Sequence, residues 1–189
     1  MTSRSRPTRF SRRRLLQAGG ALAGATAAWG WLPRAYAGGS DQRRLTLKNL
    51  HTPEVLEVIY RRGEQYLPEA LAQVEVQLRD YRTGDKHSID PQLLDTLCEV
   101  AQRAGVDPVF SVISGYRSRE TNAMLHERSS AVASHSLHME GRAIDVRLAG
   151  VDCADLAAKA LEMKRGGVGY YRQSDFVHLD TGRFRTWRG

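Results

Sequence analysis

Apolar residues that recur every three or four positions mark the helical segments of the chain. Leu71, Val74 and Leu78 form one such stripe, which predicts a helix from Pro68 to Arg82. A second apolar stripe predicts a helix from Pro91 to Ala104 with Asp90 as its cap. Start and stop signals predict two more helices, one from Ser118 or Thr121 through His126 and one from Asp152 or Asp155 to Lys164, before Gly166-Gly167.

Strands are predicted where apolar and polar residues alternate. In residues 142–148, Ile144, Val146 and Leu148 face one side, so Asp145 lies on the other, less apolar side. In residues 175–180 the apolar Val177 and Leu179 place His178 and Asp180 together on the opposite face. The apolar run 109–113 also indicates a strand. Because helices and strands do not alternate strictly, we expect a single α+β domain with a small, mainly antiparallel sheet flanked by helices.

The first 37 residues have the anatomy of an export signal. Ser11-Arg-Arg-Arg-Leu-Leu16 is typical of a twin-arginine motif, a Gly/Ala-rich run follows to Leu32, and Ala35-Tyr36-Ala37 offers a small-residue cleavage site. A membrane anchor is the alternative, but the many Gly and Ala residues make this run poorly hydrophobic. We therefore expect residues 1–37 to be a twin-arginine signal peptide that meets the membrane only during export, and residues 38–189 to form a periplasmic domain.

The positive charge of the chain belongs to this leader. The net charge of +7 equals the seven arginines of residues 1–37, which contain no acidic residue, so 21 basic and 21 acidic residues remain in the rest. A domain with no net charge gives no support for nucleic-acid binding, and we expect a monomer without a nucleic-acid partner.

A divided metal site is the main chemical signal. His138 precedes a turn at Gly141, Asp145 follows on the next strand, and His178 lies about thirty residues later. If the two strands are neighbours, these three side chains can converge. A single histidine is more often a surface or hydrogen-bonded residue, but two imidazoles and one carboxylate together would leave a catalytic zinc ion with an open position, where bound water has a pKa of roughly 7. This combination favours a hydrolase.

The motif Ser136-x-His138-x-x-Gly141-x-Ala143-x-Asp145 resembles the first zinc motif of the D-alanyl-D-alanine peptidase superfamily. The chain is most similar to the murein endopeptidase K group of that superfamily, and the resemblance covers nearly all of residues 38–189. It is carried by four further segments: Leu47-Lys-Asn-Leu-His-Thr52, Arg79-Asp-Tyr-Arg82, Ser114-Gly-Tyr-Arg-Ser118 with Asn122, and Gly166-Gly-Val-Gly-Tyr-Tyr171 leading to Phe176-Val-His-Leu-Asp-Thr-Gly182.

The resemblance implies that His138, Asp145 and His178 bind zinc. It also implies that Arg117 stabilises the polarised peptide carbonyl or anchors a substrate carboxylate, a task suited to a guanidinium with fixed charge and several donors. Without the resemblance, a surface salt bridge is the better interpretation of this arginine. Ser136 and Tyr116 belong to the same motifs, and we expect them to contact the substrate.

Two acidic residues are candidates for the general base. In several branches of the superfamily an acid three residues before the last ligand activates the zinc-bound water, and Asp175 matches that place. Strand parity favours Asp180, because it shares the face of His178 and Asp175 does not. Either acid can instead orient a zinc-bound imidazole.

The expected function is that of a zinc-dependent murein endopeptidase that hydrolyses crosslinks between peptidoglycan stem peptides, including the bond that joins two diaminopimelate residues. Two alternatives stay open: a D-alanyl-D-alanine carboxypeptidase or dipeptidase, and a non-catalytic peptidoglycan-binding module that keeps the zinc site. Cys98 and Cys153 can form a disulfide or remain buried free thiols, and neither lies near the histidine motifs.

Overall fold

The helices begin where the sequence supplies caps. The computed structural model describes residues 41–129 and 132–189, and its helices are α1 (Pro68–Gln77), α2 (Pro91–Ala104), α3 (Arg119–Arg128) and α4 (Cys153–Glu162). The side chains of Asp90, Ser118 and Asp152 each accept a hydrogen bond from a backbone N–H of the first helical turn, which satisfies a donor that the helix itself leaves free. The bounds predicted for α2 are confirmed.

Helix α1 ends earlier than its apolar stripe predicts. It stops at Gln77 rather than at Arg82, and a turn follows. In that turn the buried carboxylate of Asp80 accepts hydrogen bonds from the backbone N–H groups of Arg82 and Ser118. These bonds to backbone groups outside α1 explain why the helix does not continue.

In the part of the chain that the structure describes, eight strands form one sheet in the order β3-β2-β1-β4-β5-β7-β6-β8. Their bounds are β1 (Gln42–Asn49), β2 (Val55–Arg62), β3 (Gln65–Tyr66), β4 (Val109–Ser114), β5 (Ala143–Leu148), β6 (Gly167–Tyr171), β7 (Phe176–Asp180) and β8 (Arg185–Arg188). The described residues therefore build the α+β domain expected from the sequence.

The sheet is mixed, which corrects the expectation of a small, mainly antiparallel sheet. Strand β4 lies parallel to β1, because the chain passes through α1 and α2 before it returns to the sheet. Strand β8 lies parallel to β6, because β7 takes the antiparallel position on the other side of β6. The central pairs β4 with β5 and β5 with β7 are antiparallel.

The hydrophobic core lies on the sheet face that carries Ile144 and Val146, and α2 and α4 pack there. The largest side chains with almost no exposure include residues of strands and helices alike, among them Tyr60, Phe110, Leu45, Leu47, Leu93, Leu94, Leu97, Ile144, Leu156 and Leu179. Because side chains alternate along a strand, Asp145 is directed to the opposite face of β5. Cys98 and Cys153 are free thiols, so the two cysteines do not form a disulfide in this structure.

The predicted signal peptide, residues 1–37, lies outside the described residues, and so does the alternative of an anchor there. Within residues 41–129 and 132–189, no helix combines the length and hydrophobicity needed to cross a membrane.

Candidate metal centre and cleft

Two of the three predicted ligands face each other across neighbouring strands. Asp145 on β5 pairs directly with His178 on β7 in the antiparallel register. The third, His138, lies on a 3-10 turn, Leu137–Glu140, that leads into β5. One ligand atom from each of these three buried residues lies within 4.8 Å of the others. The convergence that the sequence predicts for His138, Asp145 and His178 is therefore present.

The turn that carries His138 is fixed at both ends. The Ser136 hydroxyl accepts a hydrogen bond from the His138 backbone N–H at 3.4 Å. Gly141 ends the turn at a φ of 66°, and a Cβ there would lie 1.9 Å from the carbonyl oxygen of Ser88. Only glycine satisfies both the backbone angle and this close approach.

One ring nitrogen of His138 is hydrogen-bonded to the backbone. Its Nδ1 lies 2.7 Å from the carbonyl oxygen of Gly115, so Nδ1 carries the proton and donates it. Nε2 is left unprotonated, 3.3 Å from Asp145 and 3.2 Å from His178. Burial lowers the pKa of His138, which keeps the ring neutral and able to bind a metal ion.

His178 is held between two carboxylates. Its Nδ1 lies 2.9 Å from Oδ1 of Asp145, and its Nε2 donates to Oδ2 of Asp180 at 3.0 Å. Burial alone would lower the pKa of His178, but the two carboxylates outweigh it and raise the pKa. The same pair of carboxylates favours positive charge at Nδ1, whether a proton or a metal ion supplies it.

Asp180 has no free oxygen. Its buried carboxylate accepts from the backbone N–H groups of Gly167 and Gly182, from two nitrogens of Arg185 and from His178. Burial alone would raise the pKa of Asp180, but the hydrogen bonds from His178 and Arg185 lower it. A carboxylate in this state is suited to orient an imidazole and poorly suited to accept a proton near neutral pH.

Asp175 is in a different setting. It lies in the turn before β7 with a φ of 51°, and its exposed carboxylate is 3.3 Å from the Arg147 guanidinium. No hydrogen bond or ion pair in the described ranges joins it to His138, Asp145 or His178. The structure therefore separates the two candidate acids: Asp180 contacts the cluster and Asp175 does not.

Arg117 lies beside the cluster rather than on the surface. Its Nη2 is 3.4 Å from Oδ2 of Asp145 and 3.2 Å from the Ser114 hydroxyl. Its backbone N–H donates to the carbonyl of His138 at 3.1 Å. The side chain is only 10% exposed, and its buried Nε has no acceptor within the described part of the chain. A surface salt bridge does not describe this residue.

An open cleft of about 530 Å³ lies beside the cluster, and the three residues line it. Arg117 and Ser136 line it with the three predicted ligands, whereas Tyr116 does not, because its ring stacks on His87 at 5.0 Å. Sequence reasoning gave no role to the aromatic wall of the cleft, which consists of Tyr171, Phe176 and Trp187. The motif Gly166–Tyr171 contains one indication of this wall: Gly169 leaves room for Trp187, because a Cβ at Gly169 would lie 2.5 Å from the Trp187 ring.

The donor set fits a catalytic zinc ion. Two imidazoles, one with its tautomer fixed by a carbonyl and the other oriented by Asp180, converge with one carboxylate. Three nitrogen and oxygen ligands beside an open cleft match catalytic sites, whereas structural zinc usually has four protein ligands.

Comparison with known proteins identifies the family of the chain. The family model described as peptidoglycan L,D-endopeptidase MepK matches residues 37–187. The chain belongs to this family. It is 42% identical to the peptidoglycan L,D-endopeptidase MepK of Escherichia coli strain K12 over 180 residues, which cover 94% of this chain and 97% of the relative. It is 39% identical to the probable MepK of Haemophilus influenzae over 148 residues, 78% of this chain and 80% of the relative. No solved structure gives a significant match.

Proposed function

We propose that this MepK-family protein is a zinc-dependent peptidoglycan endopeptidase that hydrolyses peptide crosslinks between stems. The observation that carries the proposal is the buried His138, Asp145 and His178 cluster, with Arg117 beside it, at an open cleft. The names of the relatives support it, because both specify an L,D-endopeptidase of peptidoglycan. We further propose that the bond cleaved joins the L centre of one diaminopimelate residue to the D centre of another.

His138, Asp145 and His178 would hold the zinc ion through Nε2, a carboxylate oxygen and Nδ1. Zinc held there would act as a Lewis acid toward the scissile carbonyl and would lower the pKa of a coordinated water. The protein keeps both imidazoles in the required tautomers, since Gly115 and Asp180 accept their other protons.

Arg117 would stabilise the negative charge that the peptide oxygen gains during the reaction. Its unpartnered Nε and its position at the cleft support this role, because a desolvated guanidinium acts strongly on charge that develops nearby. Ser136 caps the turn of His138 and lines the cleft, so it supports the metal centre and offers its hydroxyl to a substrate.

The two acids would have different tasks. Asp180 would position His178, since each of its oxygens already accepts hydrogen bonds. Asp175 would accept and return the proton, because its carboxylate is exposed and its neighbours Ser174 and Phe176 line the cleft. For this step the Asp175 carboxylate would leave Arg147 and reach into the cleft.

We also propose that residues 1–37 direct twin-arginine export and are then removed, and that residues 38–189 act as a monomeric enzyme in the periplasm. The paired arginines and the small residues before Gly38 support export, and the peptidoglycan substrate supports the compartment.

Digestion of three defined muropeptides tests the proposed reaction. One carries a diaminopimelate–diaminopimelate crosslink, one a D-alanine–diaminopimelate crosslink, and one is an uncrosslinked stem that ends in two D-alanines. The zinc-loaded protein should split the first into two stems with the uptake of one water, detected by mass spectrometry. A chelator and His138→Ala should each abolish the products.

The other outcomes identify the alternatives. Release of terminal D-alanine alone would show a carboxypeptidase. Binding of all three muropeptides without hydrolysis, at full zinc content, would show a non-catalytic module and would overturn the proposed reaction.

A further inference from the structure

Trp187 contacts the metal centre from the edge strand β8. Its ring lies 5.1 Å from that of His178, measured between centroids, at an angle of 52°. In the parallel register of β6 and β8, Trp187 pairs with Gly169, where a Cβ would lie 2.5 Å from the indole. The missing side chain at Gly169 thus leaves room for the indole beside His178.

The same indole forms a hydrogen bond with the hydroxyl of Tyr171. Nε1 of Trp187 donates to this hydroxyl at 3.0 Å, and the Tyr171 ring stacks on Phe176 with centroids 4.5 Å apart. The tyrosine is therefore fixed through both its ring and its oxygen. Because the oxygen accepts from the indole, its own proton is available, and no acceptor in residues 41–129 or 132–189 takes it.

Tyr171, which carries this hydroxyl, is part of the cleft wall. Tyr171 lines the cleft together with His178 and Arg117. A hydroxyl that already accepts a hydrogen bond is polarised and becomes a better donor.

We propose that Tyr171 is a substrate-facing hydrogen-bond donor and that Trp187 positions it. The inference rests on the proposed peptidase function. Tyr171 donates to the oxygen of the scissile peptide group as that oxygen gains negative charge, and it acts together with Arg117. Trp187 fixes the direction of the donor and packs against His178, so one side chain couples the metal centre to the donor.

The neighbouring tyrosine supplies a matched control. Tyr170 lies on the opposite face of β6 and packs against the hydrophobic core. Tyr170→Phe and Tyr171→Phe each remove one hydroxyl from adjacent residues of the same strand. Only the second removes a hydroxyl from the cleft.

Turnover, zinc content and the affinity for a phosphinate analogue of the crosslink test the role of Tyr171. Tyr171→Phe should keep its zinc and a KM within about twofold of the wild type, while kcat falls about a hundredfold, the scale of one lost oxyanion donor. The phosphinate, which imitates the charged tetrahedral oxygen, should bind more weakly by a similar factor. Tyr170→Phe should match the wild type in all three measurements.

Trp187→Phe tests the positioning role, because it keeps an aromatic ring beside His178 and removes the indole N–H. It should lower kcat about fivefold in the wild type, the factor for one neutral hydrogen bond, and have no effect in Tyr171→Phe. Equal losses in both backgrounds would overturn the positioning role and leave only packing.

The remaining outcomes separate the inference from the proposed function. Wild-type turnover and phosphinate affinity in Tyr171→Phe would overturn the inference while the function stands. Loss of zinc in Tyr171→Phe would also overturn it, because the residue would then be structural. A wild-type protein that hydrolyses no crosslink overturns the function, and with it the inference that rests on it.

Discussion

Replacing Asp180 by asparagine should weaken zinc binding rather than slow the reaction at saturating zinc. The two side chains are nearly equal in size, so the change acts through charge and hydrogen bonding. With its oxygen at the place of Oδ1, the asparagine keeps the hydrogen bonds from Gly167 and Gly182. Its amide nitrogen then faces Nε2 of His178, where the aspartate oxygen lies 3.0 Å away.

Two donors that face each other force His178 to change its tautomer. The proton moves to Nδ1, the atom that lies 2.9 Å from Asp145 and that we propose as the zinc ligand. Loss of such an orienting carboxylate weakens metal binding by about 10- to 100-fold, or about 1.4–2.7 kcal/mol. Arg185 also loses a charged acceptor, but its side chain is 35% exposed and water compensates in part. We expect the free energy of unfolding to fall by about 2–3 kcal/mol.

Competition with a chelator measures the zinc affinity, and turnover is measured separately at saturating zinc. Asp175→Asn is the paired variant, because its carboxylate is exposed and lies away from the cluster. It should bind zinc normally and lose about a hundredfold to ten-thousandfold in turnover if Asp175 is the base. Normal zinc affinity with a hundredfold loss of saturated turnover in Asp180→Asn would refute this reasoning and make Asp180 the base.

Three further predictions concern charge, export and pH. Arg117→Ala should keep its zinc but lose about a hundredfold in kcat, measured at saturating substrate; near-normal kcat would exclude a role in charge stabilisation. Arg12→Lys combined with Arg13→Lys keeps the positive charge but destroys the arginine pair, so precursor should accumulate in the cytoplasm, as fractionation and immunoblotting would show. Burial alone would raise the pKa of Asp80, but hydrogen bonds from Thr121, Ser118 and Arg82 lower it. Asp80 therefore stabilises the fold above its unfolded pKa of about 3.9 and loses this effect as the pH falls through its lower folded pKa. Asp80→Asn should reduce the unfolding free energy by about 1–3 kcal/mol at pH 7 and flatten the acid limb of its pH dependence, measured by urea denaturation.

The faces of the metal-binding candidates could be predicted because local patterns determine them, whereas the pairing of β5 with β7, which brings His178 to Asp145, entered only as a condition. Alternation in residues 142–148 fixes the face of Asp145, and the turn at Gly141 returns His138 to the start of the same strand. The bounds of α2 also follow from local chemistry, since Asp90, Pro91 and Gly105 are a cap, a first helical residue and a left-handed stop.

The mixed sheet and the aromatic wall could not be predicted in this way. Strand β8 pairs with the edge of β6 that β7 leaves free, and this pairing is not local in the sequence. The contact of Trp187 with His178 depends on that pairing, and a four-residue segment carries no local signal of it. Strand parity correctly grouped Asp180 with His178, but the task of Asp180 depends on Gly167 and Arg185, which neighbouring strands supply.

The direct pairing of Asp145 with His178 makes metal content a measure of strand alignment. Side chains alternate along a strand, so a slip of one residue between β5 and β7 would turn one of these two side chains into the apolar core. A misaligned chain would have no complete zinc site, and zinc would add its binding free energy to the aligned sheet alone. For a refolded sample, the fraction of molecules that hold zinc would therefore equal the fraction whose central strands have closed in the native alignment.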